Sequence, residues 1–250
     1  MSITETALKN HEELWPDYKS KAMQTDPEFI EFFDNFAFDE VISYGNLDTK
    51  TRVMMILGST IACQAHGEYK MMTNAALNVG VTPVEIKEIL YQSVPYVGIS
   101  KVVDFIYLTN EIFTERKIGM PLESQSTTTP ETRYEKGLEV QKSIFGDIID
   151  KMYEKSPRDQ LHIQKYLSAN CFGDYYTRTG LDIKTRELLT LSMLIALGGT
   201  EPQIKGHIQG NLNVGNDKET LLSVMTQLLP YVGYPRTLNG LRCLNEVVPV

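Results

Sequence analysis

The sequence predicts an all-helical protein built from two tandem copies of one unit. Three observations carry this. Short stretches recur in order at a nearly constant offset, apolar residues recur at helical rather than alternating spacing, and caps, prolines and glycines fall where helices should begin and end. Leu47-Asp48-Thr49-Lys50-Thr51-Arg52 matches Leu181-Asp182-Ile183-Lys184-Thr185-Arg186 in five of six positions at an offset of 134 residues. Leu77-Asn78-Val79-Gly80 recurs as Leu212-Asn213-Val214-Gly215, and Pro95-Tyr96-Val97-Gly98 as Pro230-Tyr231-Val232-Gly233, both at an offset of 135. Ordered matches at a fixed offset mark a duplication, and a repeat decides the architecture before any other feature. No segment alternates with period two, so no strand is expected.

The elements follow in order. His11 to Met23 has roughly helical spacing, and Asp26-Pro27-Glu28 opens a second segment whose Phe29, Ile30, Phe32, Phe33 and Phe36 form a broad apolar face, most simply core. Asp48 caps a helix through about Ala65 that buries Val53, Met54, Ile56, Leu57 and Ile61. A helix from Gly67 to Asn78 ends at Gly80, and Thr82-Pro83-Val84-Glu85 is a capping box that starts a helix to about Gln92. Pro95 to Ile99 reads as a turn, and Ser100 to Arg116 as the last helix of the first unit. The small polar stretch from Gly119 to Pro130 cannot bury a core face and is the linker. The boundary is placed near residue 125, giving units 1–125 and 126–250. In the second unit, helices are expected over Glu131–Phe145, Gly146–Met152, Asp159–Phe172, Asp182–Leu197, Glu201–Asn213 and Pro235–Val247, with another capped by Asp217.

Composition narrows the function. A chain of 250 residues with 42% hydrophobic content and no apolar run near 18 residues is expected to be globular, without a membrane span. Met1 to Glu5 shows no basic segment leading into an apolar core, so no secretory signal is expected. Cys63, Cys171 and Cys243 are odd in number and form no Cys-x-x-Cys pair, which points to reduced thiols and a cytoplasmic protein. A net charge of -8 with dispersed basic residues argues against nucleic acid as a partner. No Gly-x-Gly-x-x-Gly or Gly-x-x-x-x-Gly-Lys phosphate cradle is present.

The units differ where chemistry could lie. Glu187 aligns with Val53 and His207 with Met72, so only the second unit keeps an acid and an imidazole. A glutamate among Leu188, Leu189 and Leu191 needs a partner if buried. The pair is either a tie between two helices or, if it opens to a pocket, an acid–base device, because histidine titrates near neutral pH and a glutamate can orient it. Cys63 and His66, three apart, could share a helix face, but one Cys and one His fall short of a zinc ligand set, and no metal is expected.

Asp182-x-x-Thr185-Arg186-Glu187-Leu188-Leu189, then His207 with Gly215 eight residues on, then Tyr231-Val232-Gly233-Tyr234-Pro235 and Asn239, resembles the carboxymuconolactone decarboxylase family of the alkylhydroperoxidase-D-like superfamily. The resemblance covers residues 181 to 248 well and 47 to 116 weakly. It implies two tandem alkylhydroperoxidase-D-like helical units and assembly as a homotrimer of six pseudo-equivalent units. It also implies a cofactor-free decarboxylase acting on a small carboxylated lactone or similar acid, with Glu187 and His207 catalytic. Arg186, Lys205, Tyr231 and Arg236 are the candidate substrate-binding residues beside the motif. In the thiol-dependent branch of the superfamily, a Cys-x-x-Cys pair would fall near Gly199 to Gln203; no cysteine stands there, which disfavours disulfide-based peroxidase chemistry. A thiol-dependent antioxidant and a non-catalytic assembly protein remain the alternatives. Many decarboxylase members carry a histidine four residues before the motif tyrosine; here Gln92 and Gln227 stand there, and glutamine donates no proton at neutral pH.

Overall fold

The computed structural model describes residues 2–249, and those residues are helical with no strand. The first unit opens with α1 (Glu5–Leu14), α2 (Ala22–Thr25) and α3 (Pro27–Asn35), the last continuing as a π-helical turn over Phe36–Glu40. Its repeat helices are α4 (Thr49–Ala62), α5 (His66–Asn78), α6 (Pro83–Val97) and α7 (Ile99–Glu115). The second unit repeats the plan with α8 (Arg133–Phe145), α9 (Ile148–Lys155) and α10 (Leu161–Tyr166), which runs into a longer π-helical segment over Leu167–Tyr176. Then come α11 (Ile183–Leu197), α12 (Glu201–Asn213), α13 (Lys218–Val232) and α14 (Tyr234–Val247).

The predicted caps operate. Asp48 accepts from the Thr51 amide and Asp182 from the Thr185 amide, each 2.9 Å away. Thr82 and Glu85 form the reciprocal capping box. Several boundaries shift by two to four residues, as where the expected helix to Phe172 runs on to Tyr176, and the first helix and α6 differ most from the sequence reading. The first helix starts at Glu5 on a Thr4 cap and ends at Leu14, because Pro16 disfavours a helical Trp15. Helix α6 does not stop near Gln92 but passes through Pro95 to Val97. Proline there forfeits one backbone donor, and the helix instead ends at Gly98, whose φ of 88° reverses the chain into α7. Phe29 and Phe32 also depart from expectation: they are 62% and 52% exposed, while Ile30 is buried.

The two units share one core. Its centre is α4 against α11, equivalent helices of the duplication. Every residue of α4 from Arg52 to Ala62 and of α11 from Arg186 to Ala196 is buried, so these helices have no solvent face to mark their inner side. They cross closely at Gly58, where a Cβ would lie 2.4 Å from Leu189 Cδ1. Around this pair the units interlock: the π segment 167–176 lies against α6 of the first unit, and the π turn 36–40 against α13 of the second. Two glutamines at equivalent positions of the repeat tie these crossings. Gln92 Nε2 donates to Arg186 O and Thr190 Oγ1 at 2.8 and 3.0 Å, and Gln227 Nε2 to Val41 O and Tyr44 O at 2.7 and 3.1 Å.

Arg186 is the largest fully buried side chain, 1% exposed. Its Nη2 meets Glu88 Oε2 and Arg178 O, both at 2.9 Å, and Nη1 meets Gln92 Oε1 at 2.8 Å. Glu88, 1% exposed, also receives Arg178. Removing the carboxylate would strand a buried guanidinium. Glu88→Ala is expected to cost about 3–5 kcal/mol in urea unfolding, whereas breaking the exposed Lys205–Glu246 pair should leave the midpoint nearly unchanged. Equal effects of the two changes would contradict the central role of Arg186.

Candidate functional site

Glu187 sits in the first turns of α11, held by the Asp182 cap, and is fully buried. After α11, Gly198 and Gly199, with φ of 71° and 70°, turn the chain so that α12 runs back beside it. His207 then faces Glu187, with Nδ1 2.9 Å from Oε2. Asn211, one turn after His207 and fully buried, braces both helices: its Nδ2 donates to Glu187 O at 3.1 Å and His207 O at 2.7 Å. Gly210 makes room for the carboxylate, since a Cβ there would lie 2.6 Å from Glu187 Oε2 and 2.8 Å from Phe145 Cε1. Glu187 Oε1 is buried without a hydrogen-bond partner.

The imidazole stands in an aromatic frame. Tyr96 and Phe145 approach it edge-on, with ring centroids 5.8 and 5.4 Å away. Its side chain is 12% exposed, and among the described residues Nε2 has no hydrogen-bond partner. Behind Tyr96 runs a buried chain of polar groups. Cys171 Sγ lies 3.6 Å from the Tyr96 hydroxyl, which donates to the Tyr176 hydroxyl at 3.0 Å. Tyr176 in turn bonds Thr190 Oγ1, to which Gln92 also donates. Burial, with Glu187 and the neighbouring groups adding to it, pushes both tyrosines well above their ordinary range and Cys171 up to about 12. These hydroxyls and this thiol therefore stay protonated at neutral pH.

Of the residues singled out in the sequence, Glu187 and His207 come together. The candidate substrate contacts do not join them. Arg186 is spent on Glu88 and Gln92, Lys205 pairs with Glu246 at the surface, and Arg236 Nη1 lies 3.2 Å from Cys63 Sγ. Tyr231 packs against Phe33 in the first unit, and it is its repeat counterpart Tyr96 that stands beside His207. The sequence reading assigned the tyrosine of the same repeat; the interlocking of the units exchanges the two. Cys63 and His66 are not on one helix face either, because α4 ends at Ala62 and α5 begins at His66, whose ring stacks on Phe105. Gly210, Asn211 and Phe145 were not found from the sequence. The repeat alignment held a signal for two of them: Gly210 and Asn211 stand opposite Ala75 and Ala76.

The equivalent place in the first unit is closed. Val53, Met72, Ala75 and Ala76 stand where Glu187, His207, Gly210 and Asn211 do, and all four are fully buried. Only a void of about 10 Å³ remains there, lined by Val53 and Met72 among others. Four polar or missing side chains have been replaced by a packed apolar set.

Comparison with known proteins agrees with this duplicated plan. The sequence profile of the carboxymuconolactone decarboxylase family matches residues 27–111 and again 162–246. The chain is 29% identical over 118 residues to a 4-carboxymuconolactone decarboxylase of Acinetobacter baylyi, a match spanning 47% of this chain and 87% of that protein. It is 28% identical over 100 residues to an uncharacterized 15.0 kDa protein of Paracoccus denitrificans from the nqo9-nqo10 intergenic region, covering 40% of this chain and 69% of the relative. With the family profile matched twice and more than half of the chain covered, this protein belongs to the carboxymuconolactone decarboxylase family, as a tandem member.

Proposed function

We propose that the second unit carries a cofactor-free acid–base site that decarboxylates a small carboxylated lactone or a similar acid. The observation that supports this best is the asymmetry of His207. Its Nδ1 is held by a carboxylate that is itself buried, while Nε2 has no hydrogen-bond partner among the described residues and the side chain keeps 12% of its surface exposed. A buried carboxylate on one ring nitrogen holds the ring in one orientation and occupies that nitrogen, leaving the other as the proton carrier. In the proposed step the C–C bond to the substrate carboxylate breaks and carbon dioxide leaves. The electron pair moves into the conjugated carbonyl system, and the carbon is then protonated from His207 Nε2. Glu187 holds the resulting imidazole in place until it regains a proton from solvent.

The thiol-dependent alternative has less support. Burial pushes Cys171 to about 12 and raises Cys63 despite the Arg236 guanidinium beside it, so neither supplies much thiolate at neutral pH. The three cysteines are free, in keeping with the reducing, cytoplasmic setting we propose. No helix among the described residues is long and apolar enough to cross a membrane.

We also propose that the chain assembles as a homotrimer. Corresponding helices of the two units leave apolar side chains uncovered: Phe29 and Phe32 on α3, Ile163 and Tyr166 on α10, and Ile99 and Tyr234 at the starts of α7 and α14, each more than half exposed. Repetition of one uncovered face in both units suits a ring in which each unit meets the next in the same way.

Four outcomes are expected. Carbon dioxide release from 4-carboxymuconolactone and related lactone acids should fall about a hundredfold to ten-thousandfold in His207→Gln and Glu187→Gln, with Cys63→Ser unaffected; undiminished release in His207→Gln removes the proposal. Gly210→Ala should displace the Glu187 carboxylate, lowering turnover and costing about 1–3 kcal/mol of stability. At pH 8 an alkylating reagent should leave Cys171 unmodified in the native protein, because a thiol titrating at about 12 is neutral throughout that range and becomes reactive only as pH approaches this value. For the assembly, sedimentation velocity should give a trimer; a monomer at micromolar concentration would contradict it.

A further inference from the structure

A cleft of about 630 Å³ lies away from the Glu187–His207 pair, lined by residues of α6 and α7, by Arg178 just beyond the π segment and by the linker residues 120–125. Lys87 is at its wall and is only 8% exposed, yet among the described residues no carboxylate pairs with it. Its Nζ donates to Asn110 Oδ1 at 2.5 Å and stands 5.5 Å from the centre of the Phe113 ring. An ammonium has three donors, and one amide oxygen with one ring face leaves it under-served. Burial without a counter-charge also lowers the Lys87 pKa, the effect expected for an ammonium waiting for an anion.

A second cation, Arg178, lines the same cleft, together with the carboxylates of Glu88 and Glu123. Arg178 lies over the Tyr91 ring, its Cζ 5.1 Å from the centroid, and shares the single carboxylate of Glu88 with Arg186. Two guanidiniums on one carboxylate leave an excess positive charge beside that of Lys87. Glu123 is on the rim but exposed, where solvent screens it. This excess occurs in a chain whose net charge is -8. Between the cationic end and the linker, Val84, Tyr91, Ile106 and Leu122 supply an apolar wall. A largely buried cation at one end of a cleft with apolar walls is the usual form of a site that orients a small amphipathic anion.

The geometry points to a second, separate ligand site here, which takes a small organic carboxylate: the carboxylate is received by Lys87 Nζ with Arg178 alongside, and the body of the ligand lies on Tyr91 and Leu122. The site is independent of the role given to Glu187 and His207. It belongs to the first unit's α6 and to the linker, so it uses residues that the closed first-unit centre does not.

Titration calorimetry on the full chain tests this with phenylacetate, its uncharged isostere phenylacetamide, and inorganic phosphate. Phenylacetate is expected to bind saturably, with the amide and phosphate each weaker by about tenfold or more. Lys87→Gln should weaken phenylacetate by about tenfold or more, Lys87→Arg should restore much of the loss, and Ser124→Glu, which adds a rim carboxylate on the exposed linker, should weaken it severalfold. Binding should persist in Glu187→Gln. Circular dichroism on each variant establishes that it is folded, and Ser124→Glu keeps the test open if Lys87→Gln is not. The proposal is overturned by equal affinity for acid and amide, by equal or tighter binding of phosphate, by affinity unchanged in the folded Lys87 and Ser124 variants, by loss of binding in Glu187→Gln, or by no saturable binding of phenylacetate at all.

Discussion

Two helices buried on every side, α4 and α11, are the constraint on which the rest depends. A helix without a solvent face must have each of its polar side chains answered inside the protein, since an unpaired buried polar group costs about 1–3 kcal/mol and a charge more. The duplicated sequence places an arginine at the start of each: Arg52 and Arg186. In α11 the answer comes from the other unit, through Glu88 and Gln92 on α6. The arginine therefore ties the two halves of the chain together. In the reverse crossing the residue equivalent to Glu88 is Ser223, whose hydroxyl is buried without a partner against Gly45. The duplication has kept its architecture but not its electrostatic symmetry.

The same asymmetry shapes the site. A buried Glu187 is tolerable because His207 meets one of its oxygens and Asn211 fixes the backbone on both sides of the pair. The first unit satisfies the same positions with Val53, Met72, Ala75 and Ala76, which need no partners and close the space. One copy has thus taken the apolar solution, which stabilises by packing, and the other has kept a polar solution with one carboxylate oxygen unsatisfied. Duplication allows this division, because one unit can supply stability while the other retains the costlier arrangement.

The interlocking of the units also connects places that are distant in sequence. From Arg178 at the linker cleft, contacts pass through Glu88 to Arg186, Gln92, Thr190 and Tyr176, and end at Tyr96 beside His207. Each member is buried or nearly so, and every step of the path except Thr190–Tyr176 passes from one unit to the other. Tyr96 is the point where this network meets the imidazole, as an aromatic edge rather than a hydrogen bond. Gln92 is part of this chain: its amide donates to one backbone carbonyl and one hydroxyl and accepts from a guanidinium, so both ends of the amide are used on the other unit.

The sequence by itself determined the helices, their caps, the duplication and the pairing of Glu187 with His207. These are local or periodic properties: a cap needs a side chain three residues from an amide, and a repeat needs only two aligned stretches. It overran or cut short the elements where local signals mislead, at Pro16 and Pro95, and offered no cue for the π-helical turns. Tertiary structure alone decided which charges were spent and which were left. Arg186, Lys205 and Arg236 look alike in sequence as cations near a motif, yet one is consumed by Glu88, one by Glu246 and one lies on Cys63. Lys87 carried no signal at all, and among the described residues it is left buried with no carboxylate paired to it. Tyr96 rather than Tyr231 stands at the imidazole because the units exchange their flanking segments, and no property of a single repeat encodes that exchange. Partner choice across a packed interface depends on which residues the fold brings within a few ångströms, and that is set by the crossing of whole helices.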